Sequence, residues 1–426
     1  MSAVLAGAAA QPGGGVEGWD GARLLALIDA DMAATAYADG RLHPIADAED
    51  AAIVINPGTG ARLATAPVSN TVMGWPGSMV VSRDRRLAYV VSSRGPVDRG
   101  LERVERNVFE DFPDARTLTV LEIETGDVLG ALDVCNAPMS VDLAPGGDWL
   151  LIACRDDDNE LTVVPLTDGD PGAPRPFDLD LPAFTTRAID EGATYAVARP
   201  DGRAAGLVLS NRAVVRVDLE LGADGVPVAA SPGEPLETDR WLSVARWTRS
   251  GSALVVADVG WGPRPIDAVL NRNGEIVSFA LPATGAPKIL GAATVSKSPE
   301  AIEFNRVGDL LAVVNMERTY LPGGLTAIFR GRSASSLSLV AIDDATGDLR
   351  TLGKPVRFRG VLPEDAVFDA DGDRIAVVVY QDHGAPRSDG WITFFRIDGT
   401  GDDRRAVETG ERIALPRGGH DLAAVD

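Results

Sequence analysis

Four titratable side chains lie one or two residues after a proline or glycine in three similar segments of the second half of the chain. The segment "KSPEAIEF" contains Glu300, "VLPEDAVF" contains Glu364 and Asp365, and "RGGHDLAAVD" contains His420. Two carboxylates and an imidazole can act as general acid and general base on a bound ester or lactone. The oxygen-rich set Glu300, Glu364 and Asp365 can alternatively bind a hard divalent cation such as Ca²⁺. Both chemistries require the three segments to converge.

Basic and aromatic side chains that could bind a substrate lie in other polar segments. The candidates are Arg94, Arg318, Arg387, His383, Trp75, Trp241 and Trp261. An arginine can hold a carboxylate or a phosphate, or stabilise an oxyanion. The tryptophans can stack against a sugar or another planar ligand, or they can pack one loop on the next.

Two hairpin units alternate along the chain and would position these residues. The first unit joins an alternating apolar strand to a nearly continuous one through a Gly or Asp turn, as in "SVDLAPGGDWLLIAC", and occurs six times. The second has a polar pair followed by Gly, as in "LEIETGDVLG", and occurs seven times. Two hairpins make four antiparallel strands, which is one propeller blade. The sequence therefore predicts an all-β, seven-bladed β-propeller.

The two ends of the chain explain why one hairpin of the first type is missing. The final segment "HDLAAVD" (residues 420–426) has the pattern of an innermost strand, and "RLLALIDA" (residues 23–30) has that of its partner. Pairing them would close the ring and remove exposed sheet edges. We therefore expect a flexible segment over residues 1–20 and a single propeller domain over residues 21–426.

Several repeats resemble those of a known propeller family. The phrases "SRDRRLAYVVSSRG", "APGGDWLLIACR" and "ARPDGRAAGLVLSNR" are similar to YVTN-type and lactonase-type seven-bladed propellers, which also repeat a "D-x-x-TG" hairpin. The resemblance extends from about residue 21 to the end of the chain. It implies a propeller fold and hydrolysis or isomerisation of a small lactone or organic acid. Arg94, in "SSRG", lies where the resembled lactonases often carry "SNRG".

Long connections concentrate on one predicted face of the ring. If strands A to D run from the channel outward, the D–A and B–C connections emerge on the same face. The B–C connections at residues 31–50, 94–116, 260–274, 316–335 and 381–390 are long, as is typical of binding loops on a rigid scaffold. Residues 97–112 could form a short helix at the rim. We expect Glu300, Glu364 and His420 to open onto the channel mouth of this face.

Composition and missing motifs exclude several function classes. The 62 acidic and 40 basic residues give a net charge of −22, which argues against nucleic acid or an anionic membrane as the main partner. The chain lacks G-x-S-x-G, H-E-x-x-H, C-x-x-C-H and P-loop motifs. Serine-triad, zinc-peptidase and haem chemistry are therefore not supported. A non-catalytic propeller that binds a partner protein or small ligand remains the alternative to a lactonase-like enzyme.

The cysteines and the N-terminus bear on the compartment. Counting from the turn at Gly147 places Cys154 opposite about Met139, four residues from Cys135. We therefore expect two buried thiols, with a disulfide as the alternative. No Lys or Arg precedes the short apolar stretch at the N-terminus, so this is a poor signal peptide. This predicts a cytoplasmic location. If the assigned start site omits the beginning of a signal peptide, the predicted location is periplasmic or secreted.

Overall fold

The protein is built almost entirely of β-strands. The computed structural model describes residues 15–30, 49–70, 75–95, 114–156, 158–182, 184, 192–262, 264–321, 334–382 and 389–425. In these ranges, seven antiparallel sheets of four main strands are arranged so that each innermost strand contacts the innermost strands of its two neighbours. This confirms the seven-bladed β-propeller. None of the helices in the described ranges is long and apolar enough to cross a membrane.

Strands are numbered along the chain, and blades are numbered by their innermost strand. The closing blade 7 contains β1 (Leu24–Ile28), β2 (Ala51–Asn56), β3 (Ala61–Pro67) and the last strand of the chain, β30 (Gly419–Ala424). Blade 1 contains β4 (Met79–Val81), β5 (Leu87–Arg94), β6 (Asp114–Glu122) and β7 (Val128–Asp133). Blade 2 contains β8 (Pro138–Leu143), β9 (Trp149–Cys154), β10 (Leu161–Thr167) and the short outer strands β11 (Asp170–Pro171) and β12 (Arg175–Phe177).

The remaining blades follow in order. Blade 3 contains β13 (Ala193–Ala198), β14 (Ala204–Leu209), β15 (Ala213–Leu221), β16 (Pro227–Pro232) and β17 (Leu236–Glu237). Blade 4 contains β18 (Leu242–Trp247), β19 (Leu254–Asp258), β20 (Glu275–Ala280) and β21 (Lys288–Thr294), with helix α1 (Pro265–Val269) between β19 and β20. Blade 5 contains β22 (Pro299–Phe304), β23 (Leu310–Asn315), β24 (Ala334–Ile342) and β25 (Leu349–Arg359). Blade 6 contains β26 (Val361–Phe368), β27 (Arg374–Gln381), β28 (Gly390–Asp398) and β29 (Arg405–Leu415), with a 3₁₀ turn at Gly401–Asp403.

Apolar side chains fill the space between adjacent blades. In one cluster, Val208 of blade 3, Val255 and Ile276 of blade 4, and Val313 of blade 5 are fully buried together. β-Branched residues fit the pleated surface of a strand, and each such side chain stabilises the fold by about 1.5–3 kcal/mol when it is buried. The core therefore lies between the blades and leaves the channel to more polar residues.

The chain ends close the ring as the sequence predicts. Strand β1 pairs antiparallel with β30, so that Leu24 lies opposite Ala424 and Leu27 lies opposite Asp421. The packed part of the chain starts before residue 21, the predicted domain boundary. Val16 and Trp19 are buried, and the Trp19 ring lies 5.6 Å from the ring of Phe394, centroid to centroid.

A β-bulge recurs near the start of the innermost strand. In blades 2, 3, 5, 6 and 7 the pairing between strands A and B skips one residue on strand A, namely Met139, Thr194, Glu300, Glu364 and His420. A bulge leaves the extra residue unpaired and changes the direction of its side chain. Three of the predicted site residues thus occupy the same bulge position in three adjacent blades.

Cys135 and Cys154 form a disulfide, which corrects the expectation of two buried thiols. Cys154 lies opposite Pro138, one residue from the predicted partner. Ala137 has a φ of +45°, which bends the chain just before β8 and brings the two Cα atoms to 6.1 Å. A residue count from the turn at Gly147 treats the strand as uninterrupted and therefore cannot predict this bend.

Removing this bond is expected to destabilise the protein. The cysteines are 19 residues apart, and closing a loop of this size contributes about 3 kcal/mol through the entropy of the unfolded chain. Chemical unfolding of a variant with both Cys135→Ser and Cys154→Ser should show this loss, and reductant should destabilise only the wild type. Two alkylatable thiols in the native protein, detected by mass spectrometry, would contradict the bond.

Candidate functional site

The bulges of blades 5, 6 and 7 bring Glu300, Glu364 and His420 together, and we call these three residues the bulge cluster. The Nδ1 atom of His420 lies 3.8 Å from Oε2 of Glu364. Glu300 is close enough to Glu364 that the second carboxylate raises the pKa of the first. The residues are only 4%, 1% and 0% exposed, respectively. The predicted convergence is present, but the side chains are enclosed and do not face open solvent.

Burial favours the uncharged forms of the side chains in the bulge cluster. It raises the pKa of Glu300 and Glu364 well above the ordinary value, because a buried carboxylate loses its hydration. It also lowers the pKa of His420 to about 4, although the nearby carboxylates of Asp421 and Asp50 act in the opposite direction. These shifts favour carboxylic acids, which can donate a proton, beside a neutral imidazole, which can accept one.

Several buried polar atoms at this end of the ring make no hydrogen bond within the described ranges. In the bulge cluster these are Oε2 of Glu300, Oε2 of Glu364 and both ring nitrogens of His420. The oxygen and nitrogen of the Gln381 side-chain amide also make no hydrogen bond within these ranges. Gln381 lies opposite Val361, at the start of the strand that carries Glu364. Buried polar groups normally have partners, so these atoms are candidates for contacts with a ligand.

A separate cavity of about 700 Å³ occupies the channel and is lined by all seven innermost strands. Its deep end reaches Gly77 and Tyr195, and its mouth is lined by Arg85, Arg306 and Asp369 of A–B turns. It therefore opens on the face opposite to the one that the sequence analysis favours. The bulge cluster does not line this cavity. The residues that directly follow two of its members, Asp365 and Asp421, do line it.

Below its mouth, the cavity is lined by four carboxyl groups and one guanidinium group. Besides Asp365, the lining includes Asp142, Glu303, Arg246 and Asp421. Arg246 donates through Nη1 to the hydroxyl of Tyr195, and its Nε atom lies 3.6 Å from a carboxylate oxygen of Glu303. Partial loss of hydration in the channel raises the pKa of Asp142 to about 6 and also raises that of Glu303.

Asp421 joins the closing blade to the first blade. Its Oδ2 atom accepts hydrogen bonds from the backbone N–H groups of Gly77 and Met79, each at 3.0 Å. Asp365 accepts a 3.1 Å bond from the N–H of Leu422. Burial raises the pKa of Asp365 well above its ordinary value, and the neighbouring Asp421 raises it further.

The proposed metal-binding set does not assemble in this structure. Asp365 faces the channel while Glu364 and Glu300 belong to the bulge cluster, because consecutive residues of a strand point to opposite sides. Among the residues that the structure describes, no group of three or more His, Cys, Asp or Glu side chains is arranged to hold a metal ion. The Ca²⁺ hypothesis gains no support from this geometry.

The predicted basic residues lie in different surroundings. Arg94 is buried at the end of β5. Arg318 donates through Nε to the side-chain oxygen of Asn271 at 2.7 Å and through Nη2 to its backbone carbonyl at 3.1 Å, so that it joins blades 4 and 5. His383, Arg387 and the rim helix predicted over residues 97–112 lie outside the described residues.

The tryptophans pack on one another at the face of the bulge cluster. The Trp261 ring lies 6.2 Å from that of Trp75, 6.3 Å from that of Trp241 and 5.1 Å from that of Tyr320. Trp75 precedes blade 1 while Trp261 follows β19 of blade 4, so this contact spans the ring. Trp261 also donates from Nε1 to the Tyr320 hydroxyl at 3.1 Å. These rings therefore pack the loops on one another, which is the predicted alternative to stacking against a ligand.

Sequence reasoning missed the charged residues inside the channel. Asp142, Arg246 and Glu303 occupy the same position of the repeat, near the end of strand A. In blades 3 and 6 this position is occupied by the apolar residues Val197 and Val367. A charge at a position that is apolar in other repeats was the signal that could have identified them.

Comparison with solved structures supports the fold. A candidate 6-phosphogluconolactonase from Bacteroides fragilis is 13% identical with a TM-score of 0.63, over 96% of this chain and 100% of that one. A candidate 6-phosphogluconolactonase from Bacteroides uniformis is 15% identical with a TM-score of 0.58, over 95% and 99% of the two chains. No protein-family model and no curated protein matches the sequence. At these identities the similarity establishes the propeller fold alone.

Glu364→Gln is expected to make folding stability less dependent on pH. A carboxyl group with a raised folded-state pKa stabilises the fold at low pH, and this stabilisation is lost as the pH rises from its ordinary value of 4.5 through the folded value. The loss amounts to about 1.4 kcal/mol per pH unit in that window. Urea unfolding between about pH 5 and about pH 8 should therefore give a flatter profile for the variant.

The exposed Glu220 provides the matched control, because Glu220→Gln makes the same chemical change outside the core. Its profile should follow that of the wild type. Parallel profiles for Glu364→Gln and the wild type would show that Glu364 has no raised pKa in the folded protein.

Proposed function

We propose that this chain is a lactonase-like hydrolase or isomerase that acts on a small lactone or organic acid at the bulge cluster. The observation that carries the proposal is the convergence of Glu300, Glu364 and His420 from three adjacent blades. The contact of 3.8 Å between His420 and Glu364 joins a proton acceptor to a proton donor. Several of their polar atoms have no partner in the described ranges and can serve a ligand.

The protonation states suit hydrolysis of a lactone. The neutral imidazole of His420 would accept a proton from the attacking water as its oxygen bonds to the carbonyl carbon. The carboxylic acid of Glu364 or Glu300 would donate a proton to the ring oxygen as the C–O bond breaks, and the product is a hydroxy acid. Arg94, at the end of β5, is our candidate for binding an anionic group of the substrate. Because the cluster is buried, substrate binding requires a local opening of this face.

The structural comparisons support lactones as the first substrate class to test. Two propellers that are similar to this chain over nearly their full length are candidate 6-phosphogluconolactonases. A fold can host many activities, so this similarity guides the choice of substrates and does not define the mechanism.

A non-catalytic propeller that binds a partner protein or a small ligand through its loop-rich face is the second candidate function. The burial of all three bulge-cluster side chains favours it, because side chains enclosed in this way can have a purely structural role while the surface loops bind the partner. The disulfide favours an oxidising compartment for either function, because such bonds are rare in cytosolic proteins. We therefore propose a periplasmic or secreted location.

A lactone-hydrolysis screen tests the enzyme hypothesis. We expect the wild type to hydrolyse at least one small lactone, and both Glu364→Gln and His420→Asn to lower kcat/KM by roughly 100-fold or more, the usual effect of losing a general acid or base. The screen is run with added Ca²⁺ and with a chelator, so that metal dependence is measured directly.

The control variant Glu220→Gln should retain wild-type activity, because this residue is exposed on β15. Activity that is unchanged in Glu364→Gln would remove the bulge cluster as the active site. A folded wild type without activity on any lactone would favour the non-catalytic binder.

A further inference from the structure

The channel cavity carries opposite charges at its two ends. Arg85 and Arg306 line the mouth and are exposed, and they belong to the A–B turns of blades 1 and 5. Asp369 also lies at the mouth, but its carboxylate accepts hydrogen bonds from the backbone N–H groups of Gly372 and Arg374 in its own turn. With two guanidinium groups and one carboxylate, the mouth carries a net positive charge.

The interior of the cavity is acidic. Asp142 and Glu303 lie near the ends of their strands, and Asp365 and Asp421 lie deeper, beside Tyr195. The single interior cation, Arg246, is already engaged by Glu303 and by the hydroxyl of Tyr195. Apart from Arg246, the guanidinium groups among the described residues of the lining are those of Arg85 and Arg306 at the mouth, so the interior carboxyl groups would favour a cation that enters.

The walls between these polar groups are apolar. Val141, Val197, Phe304 and Val367 contribute to the same cavity. Apolar walls with a few polar groups at fixed positions are typical of sites for small organic molecules. The described residues provide no arrangement of three metal ligands, so the lining favours an organic cation over a bare metal ion.

The two kinds of charged group lie at different depths of the channel. Glu303 belongs to β22, whereas Arg306 lies in the turn that follows this strand. A flexible aliphatic chain lets an ammonium group and a carboxylate of one molecule reach these two depths.

We propose that the channel binds a small aliphatic zwitterion, with its ammonium group near Asp142 and Glu303 and its carboxylate toward Arg85 and Arg306. The site is distinct from the bulge cluster, which does not line the cavity. It therefore does not depend on the lactonase-like function. A molecule of this class complements both the positive mouth and the acidic interior, whereas a simple amine or a simple acid complements only one of them.

The probe is 6-aminohexanoate, compared with hexylamine and hexanoate, each of which carries only one of the two charged groups. Isothermal titration should show 6-aminohexanoate binding about tenfold more tightly than either single-charge compound, since each charge-assisted contact adds roughly 1.4 kcal/mol or more. Asp142→Asn should weaken the binding of both amines. Arg85→Gln and Arg306→Gln should weaken 6-aminohexanoate and leave hexylamine unaffected.

Arg86 provides a matched control in the same turn as Arg85, because it is exposed and does not line the cavity. Arg86→Gln should bind 6-aminohexanoate as the wild type does. The proposal is overturned if the folded protein does not bind the probe, if hexanoate or hexylamine binds equally well, or if the lining variants change nothing.

A Glu364→Gln variant separates this site from the lactonase proposal. Loss of 6-aminohexanoate binding in this variant would place the probe at the bulge cluster and overturn the channel site. Absence of lactone hydrolysis, by contrast, leaves the binding result intact, so the two proposals fail independently.

Discussion

Closure of the ring by the last strand is the interaction on which the rest of the structure depends. Strand β30 supplies the innermost position of blade 7, and its Asp421 bonds the backbone of Gly77 and Met79 in blade 1. The same strand contributes His420 to the bulge cluster and Asp421 to the channel. Both candidate sites therefore exist only in the closed ring, where the two ends of the chain have met.

The β-bulge of strand A divides the polar residues between two separate environments. Glu364 and His420 occupy bulge positions in the buried cluster, while the residues that follow them, Asp365 and Asp421, face the channel. A step of one residue thus moves a carboxyl group from one site to the other. This explains why neighbouring acidic residues in the sequence do not form a single metal-binding group.

The fold and the convergence of the cluster could be predicted because both follow from repetition. Glycine turns and apolar runs recur in each blade, and equivalent repeat positions must meet around an axis. Burial could not be predicted, since it depends on contacts across the ring such as that of Trp75 with Trp261. The charged residues of the channel were not predicted, because Arg246 and Glu303 occupy a repeat position that is apolar in other blades. The bend at Ala137 brings the two cysteines together, and no sequence pattern indicates this bend.

The order of the strands along the chain also has a consequence for synthesis. Strands β1, β2 and β3 are made before the other strands of the ring, yet their innermost partner, Gly419–Ala424, is made after all of them. Until then, β1 presents an unpaired edge of the apolar residues Leu24–Ile28, which are completely buried in the finished ring. The nascent chain must keep this edge from pairing with other chains while six blades are completed. Folding of this protein in the cell therefore requires that strand β1 be protected during synthesis.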